Sequence, residues 1–458
     1  MKARGESSGG EVVGTGTKRV VSRARSAAFE ILRRVEDDGA FASVLLAAED
    51  DDMRSNDRAL CYELVMGVLR WQLWLDALID QFAQRSSESL DKPVRRALRM
   101  GLYELRFLSR IPASATVNEA VNLTYFARLR SASGLVNAVL RRATREKTYD
   151  PVEEIVDPVM RLSVATSHPR WLIDRWTKAF GVREAEEFAR SNNQPPPLAF
   201  RIANGNDIEQ VLKSFSDAGG ILAQSRISPD AWRVEGAGAT VRKLSAEGRV
   251  YLQDEASQLV AHVVNTYKGD SVLDVCAAPG GKTTLIAGLA PDARVIVAGD
   301  LYDHRLRTVR ETSVRTDSAN ITLVIHDATI GLPFRDQSFN RVLVDAPCSG
   351  TGTLRRNPEI KWRISAHDIL DMGMRQRLIL ANAAKVVQIG GRLVYSTCSV
   401  EPDENEAVVT SFLQNHNDFT QVAVNADPIL VRDDGSVRTW PHKDGTDGFF
   451  IAAFERRG

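Results

Sequence analysis

Apolar residues recur at three- and four-residue spacing through the first third of the chain. Val94, Leu98, Leu102 and Leu105 make one such stripe, and Leu135, Val136, Val139 and Leu140 another, the signature of helices with one buried face. Pro112 interrupts the pattern, and Thr116 and Glu119 have the spacing of a capping box opening a fresh helix. An all-helical domain is predicted over residues 20–147, behind a polar, glycine-rich stretch (1–19) expected to be a disordered tail. Residues 148–250 read as a small α+β module. It has short helical pieces near His168–Trp171, a Pro195-Pro196-Pro197 stop, a strand at 198–202, a helix at 208–218 and a broken, glycine-rich β region through Val250. From Gly269 the rhythm changes. Short β-branched runs at 271–275, 294–300, 321–327, 341–347 and 392–398 alternate with helical stretches, which predicts βαβ units, a parallel sheet covered on both faces and a Rossmann-like α/β domain over 251–458.

Composition changes this picture little: 43% hydrophobic and 26% charged residues are ordinary for a globular chain. No apolar run approaches the roughly 20 residues that cross a bilayer, and the first residues lack the apolar core of a secretory signal. Four cysteines in 458 residues are too sparse for a disulfide framework and none are spaced like zinc ligands, so no metal is expected and a reducing, cytoplasmic setting fits. The formal net charge of zero hides a basic segment. Lys92, Arg95, Arg96, Arg99, Arg106, Arg110, Arg128, Arg130, Arg141, Arg142, Arg145 and Lys147 face only Glu104, Glu119 and Glu146. Such potential attracts phosphate backbones, although a solvated helix face would look the same.

Chemistry concentrates at the strand ends. Asp274, Asp300, Asp327, Asp345 and Cys398 all stand at or just beyond them, where ligands lie in open α/β sheets. The first strand runs into Cys276-Ala277-Ala278-Pro279-Gly280-Gly281-Lys282-Thr283. A P-loop would need glycine where Cys276 stands, and no G-x-G-x-x-G is present. A ligand without phosphates, such as S-adenosylmethionine, suits the small-residue turn. Asp300 suits ribose hydroxyls, and Asp327 the adenine amino group. Cys348 and Cys398 follow neighbouring strands of the sheet. A thiolate added to carbon 6 of a pyrimidine makes carbon 5 nucleophilic toward a methyl sulfonium, and Asp345 would hold the cytosine amino group. Spacing does not decide which cysteine attacks.

LDVCAAPGGKT, LVDAPCSGTGTLRRNPEIKW and YSTCSVEPDENE, with YLQDEASQLVA and DGFFIAAF at the flanks, resemble the signatures of the RsmB/NOP family of RNA 5-methylcytosine methyltransferases. LYELRFLSRIPASATVNEAVNL and SGLVNAVLRR resemble the RNA-binding domain of the antitermination factor NusB. The resemblance implies that residues Cys276 to Lys282, Asp300, Arg305, Asp327 and Asp345 bind S-adenosylmethionine. It implies that Cys398 is the nucleophile, that Cys348 assists product release and that Lys282 orients Asp345 or the base. It implies as substrate a cytosine of small-subunit (16S) rRNA not fully assembled with ribosomal proteins, flipped from its stack, and a monomeric enzyme. Arg355, Arg356, Lys361 and Arg363 after the Cys348 loop are expected to grip phosphates. Transfer RNA as substrate, and a non-catalytic RNA-binding factor, are the rival readings.

Overall fold

The computed structural model describes residues 21–49, 53–318 and 320–457; the tail expected over 1–19 lies outside them. The chain divides into two compact units, Met1–Glu154 and Ile155–Gly458. Among the described residues no helix is long and apolar enough to cross a membrane.

The first unit is all-helical as predicted, with α-helices Arg23–Asp37, Ala42–Ala48, Ser55–Arg70, Gln72–Ala83, Lys92–Phe107, Ala113–Phe126 and Ser133–Arg145. Val94, Leu98, Leu102, Val136, Val139 and Leu140 are all buried in its core. The expected capping box is not formed. Pro112 itself precedes the first turn of Ala113–Phe126, and Thr116 lies inside that helix. The Thr116 hydroxyl donates to Glu104 at 3.1 Å, which also takes a two-pronged bond from buried Arg25 at 2.8 and 2.6 Å. Glu119 instead accepts the Ser22 N–H. The basic segment is partly engaged within the unit. Arg95 and Arg96 pair with Glu36, Arg99 with Asp76, Lys92 with Asp37 and Arg142 with Glu146, while Arg106 donates to main-chain carbonyls. Arg110, Arg128, Arg130, Arg141, Arg145 and Lys147 remain exposed.

The second unit opens with helices Pro158–Thr166, Arg170–Phe180 and Val182–Ser191. Four strands follow: β1 (Leu198–Ile202), β2 (Ile221–Gln224), β3 (Ala231–Glu235) and β4 (Val250–Leu252). They pair antiparallel in the order β2-β3-β1-β4, and helices Ile208–Asp217 and Gly238–Ala246 pack with them around Phe200, Phe215 and Val241. This βαββαβ order is ferredoxin-like. The second helix, flanked by glycines, was not expected.

The large sheet contains β5 (Ser271–Asp274), β6 (Val295–Asp300), β7 (Ile321–Ile325), β8 (Phe339–Asp345), β9 (Val387–Thr397), β10 (Phe419–Val422), β11 (Val437–Arg438) and β12 (Phe450–Arg456). Its order is β10-β12-β9-β8-β5-β6-β7, with β11 beside β12. β5 to β9 are parallel, as the apolar runs predicted. The sheet as a whole is mixed, because β12 returns antiparallel to β9 and β10 antiparallel to β12. Neighbouring residues along a strand go to opposite faces. Leu273, Val344 and Tyr395 pack against Ile379, Leu380 and Phe412 on one side. Val272, Leu343 and Val394 pack against Leu259, Val260 and Ile286 on the other. Both faces are thus closed, and a ligand has access only at the strand ends.

Candidate functional site

The strand order reverses between β5 and β8: β6 and β7 extend one way, β9 and β12 the other. At that switch point the loops after neighbouring strands diverge and leave a crevice. A cavity of about 360 Å³ opens there, lined by Cys276, Ala278, Asp300, Arg305, His326, Asp327, Asp345, Cys348 and Cys398 among others, within the usual size range of small-ligand sites. Ala277, Pro279, Gly281 and Lys282 line a smaller adjoining cavity of about 190 Å³, which shares Cys276, Ala278 and Asp345 with the first. Gly280 lines neither. It takes φ +103°, and a Cβ there would meet the Val309 backbone at 3.1 Å, so its part is to make the turn.

The β6 end is buried. Asp300 is 3% exposed, accepts the Ala278 N–H at 3.3 Å and pairs with Arg305 at 3.3 Å; Arg305 in turn donates to the Ala278 carbonyl. Asp327 accepts both the N–H and the hydroxyl of Thr329, at 2.9 and 2.6 Å, and these bonds hold its carboxyl below the usual range. His326 was not singled out by sequence. It is buried and lines the cavity, and neither ring nitrogen has a partner among the described residues. Tyr302, Thr329 and Arg375 also line the wall unannounced. A polar residue after a strand looks like any loop residue until the fold places it.

At the other end of the cavity, Asp345 stands in register with Ser396 of β9, so the chain leaves β8 and β9 at the same level. Asp345 accepts the Ser396 hydroxyl at 2.7 Å and Lys282 Nζ at 2.8 Å. Burial works against the Lys282 charge, but Asp345 more than offsets it and holds the ammonium above its ordinary value. Three residues past each strand end, or one, the thiols of Cys348 and Cys398 meet at 3.2 Å. That is well outside the S–S bond of about 2.05 Å, and both are free thiols. The hydrogen bond to Cys398, followed by burial, pushes the Cys348 thiol well up, so it keeps its proton. Burial does the same to Cys276, which is thereby inert as a nucleophile.

The basic residues after Cys348 do not form a phosphate grip. Arg356 pairs with Asp254 at 2.9 Å and Asp447 at 2.7 Å, and Arg355 with Asp447 at 3.5 Å. Lys361 is 1% exposed and donates to Asn193. Only Arg363 of the four is exposed.

The donor set suits a nucleoside carrying a sulfonium and an ammonium. Carboxylates at the β6, β7 and β8 ends surround the cavity, the unpartnered His326 nitrogens offer hydrogen bonds, and of the two lining arginines, Arg305 and Arg375, the first is already paired with Asp300. This fold and site define a Rossmann-like, S-adenosylmethionine-dependent methyltransferase. Residues 261–455 match the family described as 16S rRNA methyltransferase RsmB/F, residues 22–145 the NusB family, and residues 168–241 the RsmF/B-like ferredoxin-like domain. The probable ribosomal RNA small subunit methyltransferase B of Bacillus subtilis (strain 168) is 34% identical over 452 residues, covering 95% of this chain and 99% of its own. Its namesake in Pseudomonas syringae pv. tomato is 35% identical over 436 residues, with 93% and 96% covered. The crystal structure of PH0851 superposes with a TM-score of 0.80 at 27% identity, over 96% of this chain and 100% of that one. The chain belongs to the RsmB/F methyltransferase family.

Proposed function

We propose that this protein methylates carbon 5 of a cytosine in small-subunit (16S) rRNA through a covalent adduct on Cys398. The observation that carries the reading is the thiol pair, 3.2 Å apart, on the wall of the cavity whose far end holds Asp300 and Asp327. S-adenosylmethionine, when bound, supplies an electrophilic methyl on its sulfonium; residues Cys276 to Lys282, Asp300, Arg305, Asp327 and Asp345 would hold it. Asp345, held in place by Lys282 and Ser396, accepts a hydrogen bond from the cytosine amino group and fixes the ring. Cys398 gives up its S–H proton to a base, the thiolate Sγ forms a bond to carbon 6, and the displaced electron pair makes carbon 5 the nucleophile. After methylation a base takes the carbon 5 proton, the ring electrons return, and the C6–S bond breaks. Cys348, which keeps its proton against Cys398 Sγ, stabilises the leaving thiolate. The exposed cations of the helical unit supply backbone affinity.

Cys348→Ala is expected to accumulate a covalent protein–RNA species on unmodified rRNA with labelled methyl donor, and Cys398→Ala to form none. The opposite pattern exchanges the two roles. Bisulfite mapping of rRNA and tRNA from a deletion strain reads the substrate: loss of a 16S site supports the proposal, and loss of a tRNA site alone replaces it with the tRNA reading. Normal RNA binding by the wild-type protein with no methyl transfer would leave a non-catalytic binding factor.

A further inference from the structure

Glu404 lies in the turn after β9, fully buried, and its carboxylate is shared by the two loops that carry the thiols. Oε1 accepts the Ser349 N–H at 2.8 Å and the Gln376 side-chain amide at 3.1 Å. Oε2 accepts the hydroxyls of Ser349 and Ser399. Ser349 directly follows Cys348, and Ser399 directly follows Cys398. Four donors fill the acceptor sites of a carboxylate and offset much of the cost of burying it, though burial still raises the Glu404 carboxyl above its ordinary range.

The two loops do not depend on this carboxylate equally. On the nucleophile side, the Cys398 carbonyl accepts Gly352 N–H at 3.0 Å. The Ser399 carbonyl accepts Asn405 Nδ2 at 2.8 Å, and Val400 N–H donates to Thr351 at 3.2 Å. On the other side, both the N–H and the hydroxyl of Ser349 donate to Glu404. The remaining Ser349 contacts are to the hydroxyls of Ser399 and Thr351. Removing the carboxylate strands the buried Ser349 N–H and loosens the turn at Cys348 and Ser349, although Thr351 and Gly352 still tie the rest of that loop to the Cys398 segment.

We propose that Glu404 is a positioning residue that holds the Cys348 loop against the Cys398 loop, so that the thiols stay in contact and release of the methylated base depends on it more than adduct formation does. The clause on release rests on the roles given above to the two cysteines; the clause on thiol contact does not.

The full-length wild type, Glu404→Gln and Glu404→Ala are first treated with diamide, without RNA or cofactor. Both S–H bonds break, an S–S bond forms between Cys348 and Cys398, and diamide takes up the two hydrogens; peptide mass spectrometry times the reaction. The sulfurs must close from contact to about 2.05 Å, so loop position sets the rate, and Glu404→Ala is expected to be slower by about tenfold or more. Glu404→Gln keeps the shape and one acceptor oxygen and falls between; it carries the comparison if the alanine variant does not melt cooperatively. Next, in single turnover on unmodified rRNA, Glu404→Ala is expected to form the adduct and retain it, as Cys348→Ala does. Equal disulfide rates in all folded variants overturn the positioning role, and wild-type release from Glu404→Ala overturns the link to release. Slowed disulfide formation, with a wild type that transfers no methyl, supports the positioning role and instead rejects the function proposed above.

Discussion

Asp274 ends β5 with one carboxylate oxygen bonded to Thr283 Oγ1 at 2.7 Å, and beyond that bond only the Cys276 N–H approaches its carboxyl as a donor among the described residues. Burial pushes the carboxyl from 3.8 up to about 7; the Thr283 bond opposes this and the nearby Asp345 adds to it. The folded chain therefore keeps this proton after the unfolded chain has lost it. The contribution of Asp274 to stability falls as pH rises between about 4 and 7, by up to about 1.4 kcal/mol per unit, and levels off above. Asparagine retains the Thr283 bond and has no proton to lose. Asp274→Asn is thus expected to match the wild type near pH 4 and to exceed it by roughly 2–4 kcal/mol at pH 8, in urea unfolding without cofactor. A difference that stays flat across that range would mean Asp274 does not titrate there. Single residues were legible in the sequence where they ended strands, because the apolar run fixes where a strand stops. Glu404 was visible only as one letter of the YSTCSVEPDENE signature, since its burial is decided by Ser349, Gln376 and Ser399, contributed by three separate segments.

The element that carries Cys348, from the end of β8 through Arg363, is moored by ion pairs rather than by regular structure. Asp254 and Asp447 are both buried, and Arg356 joins them. Arg356→Ala leaves Asp447 with only the longer Arg355 ion pair and Asp254 with the neutral donors Thr446 Oγ1, Ala256 N–H and Asp447 N–H, and breaking a buried pair from one side costs about 3–5 kcal/mol. Denaturant unfolding of the second unit is expected to show a loss of that order, and a loss below about 1 kcal/mol would place the network in solvent instead. Expecting these arginines to hold phosphates was reasonable from local charge alone. Their partners lie some ninety to one hundred positions away, beyond the reach of any spacing rule. The same limit explains β12. DGFFIAAF stood out as a signature, but its antiparallel return beside β9 is a fact of topology. Strands β5 to β9 were readable because burial on both faces leaves continuous apolar runs.

At the scale of the molecule, zero net charge coexists with a helical unit on which Arg110, Arg128, Arg130, Arg141, Arg145 and Lys147 are exposed without a carboxylate partner among the described residues. Each phosphate neutralised by such a cation releases counterions, so its removal lowers the salt slope by about one without favouring any sequence. Replacing Arg128, Arg141 and Arg145 together by glutamine is expected to weaken rRNA binding uniformly and to flatten log K against log salt by about two to three; an unchanged slope would remove the helical unit from the RNA-binding surface. The three fold classes along the chain were legible because hydrophobic periodicity switches twice, near residues 150 and 250.

The mooring of the Cys348 loop also decides where this chain can be cut. Asp254 precedes the first parallel strand and Asp447 lies three residues before the last strand, so one loop is tied to both ends of the catalytic half. A minimal fragment running from β5 through Cys398 would retain every thiol and carboxylate of the pocket yet lose both tethers. Domain swaps, fusions and truncations therefore need to carry Asp254 through β12 as a single cassette.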